Sequence, residues 1–267
     1  MANRPDKRAA DQLRRIKIRK DYLNNPLSSV MIEFGRTRLI CAVSVEHAVP
    51  QWMRNQKKSG GWLTCEYGML PASTRERNKR DITNGRPNGR SMEIQRLIGR
   101  SFRSVVDLEA LGQNTVYIDC DVIDADGGTR CAGICGASVA FQLALNSAFA
   151  KRNFSGQVMR ESIAAVSVGI VNGEPVLDLN YAEDSQAEVD MNVVMTESGK
   201  IVEIQGTAER APFSRAQFNE LMDLAEHGLK QIFEIQRKVI AGEEPEKNDS
   251  KKSELGRMSD AFSGINL

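Results

Sequence analysis

Histidine is scarce in this chain of 267 residues, which has only His47 and His227. Cys131 and Cys135 lie one helical turn apart, but no convincing ligand set completes a zinc site around them. They read as small buried residues. The five cysteines (Cys41, Cys65, Cys120, Cys131, Cys135) are odd in number and scattered, which argues for reduced thiols over a disulfide framework. Also missing is any apolar run near the ~20 residues of a membrane span, so a soluble protein with no membrane partner is expected. Residues 1–8 lack the apolar stretch of a signal peptide, which gives the expectation of a cytoplasmic protein. No Gly-Lys-Ser/Thr signature is present, which weighs against a kinase with a glycine-rich phosphate loop. Neither sign of charge dominates, with 36 Lys+Arg against 35 Asp+Glu.

That balance conceals a pattern. Arg4 to Lys20 and Thr74 to Arg80 are basic, whereas Asp119 to Asp126 and Glu183 to Asp190 are acidic. Arg75, Arg77, Lys79 and Arg80 precede Asn84, Gly85, Pro87, Asn88 and Gly89, so an exposed loop is expected. It reads equally as a contact for a polyanion such as nucleic acid or as a solvated charged loop.

The most informative segment is Asp124-Ala125-Asp126-Gly127-Gly128-Thr129-Arg130, which closes an apolar run from Val116 and opens onto a small-residue helix near Ala132. Glycines let the backbone approach an anion closely. Thr129 adds a hydroxyl, Arg130 a rigid fork of donors, and a helix start adds free N–H groups and a positive dipole end. Inorganic phosphate as a reactant fits such a cradle. Gly89-Arg90-Ser91 precedes the amphipathic pattern Ile94, Leu97, Ile98, Ser101, Phe102, Val105, so Arg90 also sits at a helix mouth. Two such arginines grip one dianion if the fold brings the mouths together.

The rest alternates strand and helix. Leu27–Phe34 and Thr37–Val45 read as a hairpin about Gly35-Arg36, Leu63–Leu70 as a further extended piece, and Thr115–Ile123 as a strand. A helix is expected from about Ala132 to Arg152, with Ala137, Phe141, Ala144, Leu145 and Ala148 on one face. Further hairpins are expected at Ser162–Val171 with Pro175–Leu179, and at Glu188–Thr196 with Ile201–Thr207. A long helix follows from Ser214, capped by Ser214 with Gln217. From Ala241 to Leu267 the composition turns too polar to bury, so residues 1–240 are expected to form one domain and 241–267 a disordered tail.

Several carboxylates surround the connection between Asp178 and Asp190. They suit a hard cation such as Mg2+, which shares its coordination with waters and substrate phosphate. An acidic turn at a strand end explains them as well. Alternation puts Glu188, Asp190 and Asn192 on one face of the following strand, where Asp190 need not be buried. Asp119, Asp121, Asp124 and Asp126 lack the spacing of a calcium loop and read as structural.

Several segments, taken in order, resemble the RNase PH family of bacterial phosphorolytic 3′-to-5′ exoribonucleases. They are Arg90-Ser91-Met92-Glu93-Ile94-Gln95-Arg96-Leu97-Ile98-Gly99-Arg100, Asp119-Cys120-Asp121-Val122-Ile123, Asp126-Gly127-Gly128-Thr129-Arg130 and Glu188-Val189-Asp190-Met191-Asn192. The resemblance spans about Arg4 to Val239. It implies an α+β fold of two βαβα-type halves with mixed sheets and packed helices. It also implies a homohexameric ring, a trimer of dimers, with the active site near the dimer interface. Arg90, Gly128, Thr129 and Arg130 match the family's phosphate-binding positions, and Asp184 and Asp190 its catalytic and Mg2+-binding carboxylates. Arg75, Arg77, Lys79 and Arg80 fall in the loop that guides RNA. The expected substrates are tRNA precursors and other RNA 3′ ends, and the alternative is a non-catalytic RNA-binding subunit of a ring. Arg4-Pro5-Asp6-Lys7-Arg8 departs from the commoner Arg-x-Asp-Gly-Arg start.

Overall fold

The structure, a computed structural model, describes residues 4–80, 83, 85–86 and 88–243; most of the expected polar tail lies outside them. Two sheets share one apolar core. The first has five strands, β1 (Ile16–Lys20), β2 (Ser28–Phe34), β3 (Thr37–Glu46), β4 (Trp62–Met69) and β5 (Thr115–Asp124), in the order β1-β2-β3-β5-β4. All its pairs are antiparallel except β4 with β5, which run parallel because α2 (Gly89–Val105) carries the chain between them. A short α1 (Gln51–Asn55) precedes β4. The second sheet is antiparallel: β6 (Ile163–Val171), β7 (Glu174–Leu177), β8 (Val189–Thr196) and β9 (Ile201–Ala208), ordered β7-β6-β8-β9.

Between the sheets runs α3 (Thr129–Leu145), which packs on β2, β3 and β5 on one side and β6 on the other. A helix lying between two sheets must be apolar all round, and residues 131 to 141 are buried without interruption. Its glycines make the fit possible: a Cβ on Gly136 would stand 2.7 Å from Cys41 Sγ. The single apolar face expected from sequence is therefore replaced by complete burial. Nor does the helix run on to Arg152. It starts at Thr129 and stops at Leu145, and Ser147 caps a separate α4 (Ala148–Asn153) by accepting from Ala150 N at 3.1 Å. Between β7 and β8 lies a one-turn α5 (Tyr181–Asp184), and α6 (Arg215–Ala241) closes the second sheet with its apolar stripe on β6 and β7. The Ser214–Gln217 capping box forms as expected.

The basic N-terminal stretch is not a free cationic zone. Ile16 and Ile18 turn inward from β1, and Arg19 meets Glu33 across the pair. Arg4 and Arg14 are 3% and 6% exposed, paired with the buried carboxylates Glu183 and Asp178 respectively. Arg8 lies beside both acids. Asp119 and Asp121 lie within β5, and burial, with the charge of Glu66, raises the pKa of both carboxyls. All five cysteines are buried and none forms a disulfide, and burial or a neighbouring thiol raises the pKa of Cys41, Cys65, Cys131 and Cys135. None of the described helices is long and apolar enough to cross a membrane.

Candidate active site

The loop between β5 and α3 turns on Gly127 (φ +78°) and Gly128 (φ +67°). Both conformations lie in the left-handed region, where side chains are disfavoured. Close neighbours impose the same choice. A Cβ on Gly127 would sit 2.7–2.8 Å from backbone atoms of Leu179, Asn180 and Tyr181, and one on Gly128 would sit 2.8 Å from Arg14 Nη2. Thr37 Oγ1 donates to Gly127 O at 2.7 Å and accepts from Asp126 N at 2.9 Å, which fixes the loop from the β3 side. No side chain caps α3. Its first amides and positive dipole end are thus available to an anion. Tyr67 OH donates to Thr129 Oγ1 at 2.8 Å and orients that hydroxyl.

At α2, Asn88 accepts from Arg90 N at 2.9 Å and places Arg90 in the first turn. Asp184 ends α5, whose capping box joins Asn180 and Glu183. Asp190 is the second residue of β8, opposite Gly169 of β6 and Thr207 of β9. These elements converge on one cavity of about 440 Å³, lined by Arg90, Gly128, Thr129 and Arg130 together with Asp184 and Asp190. A larger hollow of about 880 Å³ lies by the C-terminal end of α3 and contains none of these residues.

Arg130 Nη1 donates to Gln205 Oε1 at 2.7 Å and stands 3.5 Å from Glu93 Oε1, which links α3 to β9 and α2. Withdrawal from water, reinforced by the charge of Asp184, pushes the Asp190 carboxyl up to about 6, while Arg130, Asn192 and Arg90 oppose the rise. Burial also raises Asp184, tempered by Arg90, Arg130 and Arg14. Asp190 is therefore less solvated than strand alternation suggested. Two other carboxylates of the connection are taken by buried arginines, Asp178 by Arg14 and Glu183 by Arg4.

The structure thus gathers all six phosphate and carboxylate candidates. It does not bring Arg75, Arg77, Lys79 and Arg80 into the cavity lining. These four are exposed on a loop whose turn is held by Asn78 N donating to Pro71 O at 2.9 Å. Asn192, expected on the same strand face as Asp190, also lines the cavity, as do Ser167, Glu209 and Arg210, which sequence reasoning missed. A buried serine inside the apolar run Ala164-Ala165-Val166-Ser167-Val168 was a legible signal. Arg210, in an irregular segment after β9, carried none.

Two hard-oxygen carboxylates lining one cavity, both of raised proton affinity, suit Mg2+, which needs few protein ligands when it shares phosphate oxygens and water. Among the described residues no cluster of three or more His, Cys, Asp or Glu side chains is placed to enclose a metal. Such a metal would therefore depend on substrate oxygens.

Residues 12–145 match domain 1 and residues 161–228 match domain 2 of the 3′ exoribonuclease family, RNase PH. Rice (Oryza sativa) Rrp46 is similar in structure with a TM-score of 0.72 at 16% identity, covering 89% of this chain and 100% of that one. An Archaeoglobus fulgidus exosome structure with RNA bound to the active site also gives 0.72, at 19% identity, covering 86% of this chain and 91% of its own. At these identities the likeness is one of fold. With both of the family's domains matched in order over most of its length, the chain belongs to the RNase PH family of 3′ exoribonucleases.

Proposed function

We propose that the protein is a phosphate-dependent 3′-to-5′ exoribonuclease that trims tRNA precursors beyond CCA, works as a homohexameric trimer of dimers and acts in the cytoplasm. The observation that carries this reading is the meeting, in one cavity, of an uncapped helix start, three guanidinium groups and two carboxyls of raised pKa. Inorganic phosphate, held by Arg90, Arg130, the Thr129 hydroxyl and the Gly128 amide, attacks the last phosphodiester. A new P–O–P linkage forms, the bond to the 3′ oxygen of the penultimate nucleotide breaks, and a nucleoside diphosphate leaves. The proton that phosphate gives up ends on that 3′ oxygen. Bound at Asp184 and Asp190, Mg2+ would neutralise charge on the transferring phosphoryl oxygens. One phosphate linkage replaces another, so the reaction also runs backwards from nucleoside diphosphates.

The test is incubation with a 3′-extended tRNA and Mg2+, with and without phosphate. Diphosphates released only with phosphate support the reading, and monophosphates released without it would mean hydrolysis. RNA binding without trimming would favour the rival reading, a non-catalytic ring subunit, against which the complete set of arginines and aspartates argues.

Arg210 is the cavity guanidinium left over once Arg90 and Arg130 hold phosphate, and we assign it to the RNA backbone. Arg75, Arg77, Lys79 and Arg80 would guide the strand from farther out. Arg210→Ala is expected to weaken binding of single-stranded RNA and to lower the salt slope of log K by about 0.7, one contact's share, with the KM for phosphate unchanged. Fluorescence anisotropy across a KCl series checks this.

A further inference from the structure

We propose that the N-terminal arm, residues 4–14, is a strap that fixes the phosphate cradle against the carboxylate helix, with Arg14 and Arg4 as positioning residues. The proposal rests on the phosphorolytic reading above. Arg14 holds both sides at once. Its Nε and Nη2 donate to Asp178 Oδ2 and Oδ1 at 3.0 and 2.7 Å, and its backbone N donates to Oδ2 at 2.8 Å. Its Nη1 donates to the carbonyls of Asp126 and Gly127 at 2.7 and 3.3 Å. In a trans peptide the C=O and the following N–H point in opposite directions. Holding the oxygen of Gly127 on the Arg14 side therefore turns the Gly128 amide away from it.

The carboxylate side is gripped just as closely. Asp178 adopts φ +54°, a left-handed conformation that a non-glycine residue keeps only when its surroundings over-determine it. Tyr181 N, the first amide of α5, donates to Asp126 O at 3.1 Å, the same carbonyl that Arg14 holds. Arg4 forks onto Glu183 (Nε to Oε1 2.6 Å, Nη2 to Oε2 2.9 Å) and donates to the carbonyls of Leu177 and Asp178. Glu183 also accepts from Asn180 N at 3.0 Å in the capping box, and Asp184 is the next residue. Neither arginine lines the cavity. Both are nearly excluded from solvent, which removes them from RNA contact and leaves geometry as their contribution.

Arg14→Lys tests this, because a lone ammonium keeps a charge beside Asp178 but cannot span Asp178 and two carbonyls. Thr37→Val is the second variant. It strips two hydrogen bonds from the cradle, and a longer third from Arg14 Nη1 at 3.4 Å, while leaving the Arg14–Asp178 ion pair in place. Both are expected to raise the KM for phosphate about tenfold, with the KM for RNA within about twofold of wild type and the folded fraction, followed by circular dichroism, retained. Should Arg14→Lys fail to fold, Arg4→Lys, which keeps a charge at Glu183 but loses the fork, takes its place with the same expectation, because Thr37 lies outside the arm. Lower kcat or melting temperature with an unchanged KM for phosphate would make the arm purely structural and overturn the strap. Wild-type protein that releases nucleotides independently of phosphate would overturn the phosphorolytic reading and the strap with it.

Discussion

Replacing Arg130 with alanine is expected to lower kcat/KM for phosphate-dependent nucleotide release by about 10²–10³, the range seen when one preorganised donor to a reacting oxyanion is lost. Most of the loss falls on the phosphate. The Arg130 guanidinium belongs to the first turn of α3, where the uncapped amides already favour an anion, so its removal weakens the cradle without disturbing the core. Its partners Gln205 and Glu93 keep access to solvent and can rehydrate. RNA affinity without phosphate should stay within about twofold, because the strand's contacts are assigned to Arg210 and the basic loop. Arg130→Lys should recover only part of the activity, since an ammonium restores charge but not the two-pronged geometry. Steady-state kinetics with phosphate and RNA varied separately distinguishes these terms; a variant with normal KM for phosphate would remove Arg130 from the cradle.

Asp190→Asn should abolish activity while making the metal-free protein more stable at neutral pH. The folded-state pKa of about 6 exceeds the ordinary 3.8, so this carboxyl's favourable contribution is complete below about pH 3.8 and is lost as pH rises through about 6. Above that window the fold carries an ionised, poorly solvated carboxylate at a cost of at most about 3 kcal/mol. A neutral amide avoids the cost. Thermal melts in EDTA should show Asp190→Asn several degrees above wild type at pH 7.5, with the gap closing by about pH 4. Metal and proton also compete for this carboxylate. The Mg2+ concentration giving half-maximal wild-type activity should therefore rise about tenfold between pH 7 and pH 5. An unchanged melting temperature and a flat Mg2+ requirement would mean that Asp190 is better solvated than its surroundings indicate.

Local signals made much of the fold legible. The hairpins about Gly35, Asn172-Gly173 and Gly199 are two strand patterns joined by a turn, and α6 announces itself with a capping box and an apolar stripe. Strand β1 escaped notice because three of its five residues are cationic; Ile16 and Ile18 become a strand signal only when β2 lies alongside. The one-turn α5 was missed although Asn180 and Glu183 carry the capping-box spacing. For the site, residue chemistry beside helix starts and the family resemblance identified the arginines and aspartates, and the fold then brought them together. The burial of Arg4 and Arg14 was hidden because their partners lie more than 160 residues away in the chain. In a linear reading such arginines look like any other basic segment.

Helix α3 serves two sheets, and this bears on how the protein reaches its native state. Neither half owns a private interior: the apolar cluster runs without a break from Ile32 and Leu39 through Ile134 and Phe141 to Val166 and Ile232. Separating the two matched family domains in the 146–160 connection would leave the second sheet without the helix that fills one of its faces. The first half would in turn expose the side of α3 that β6 covers. The halves are therefore interdependent folding partners, and unfolding should be a single cooperative event in which the cradle at the start of α3 persists as long as the core does.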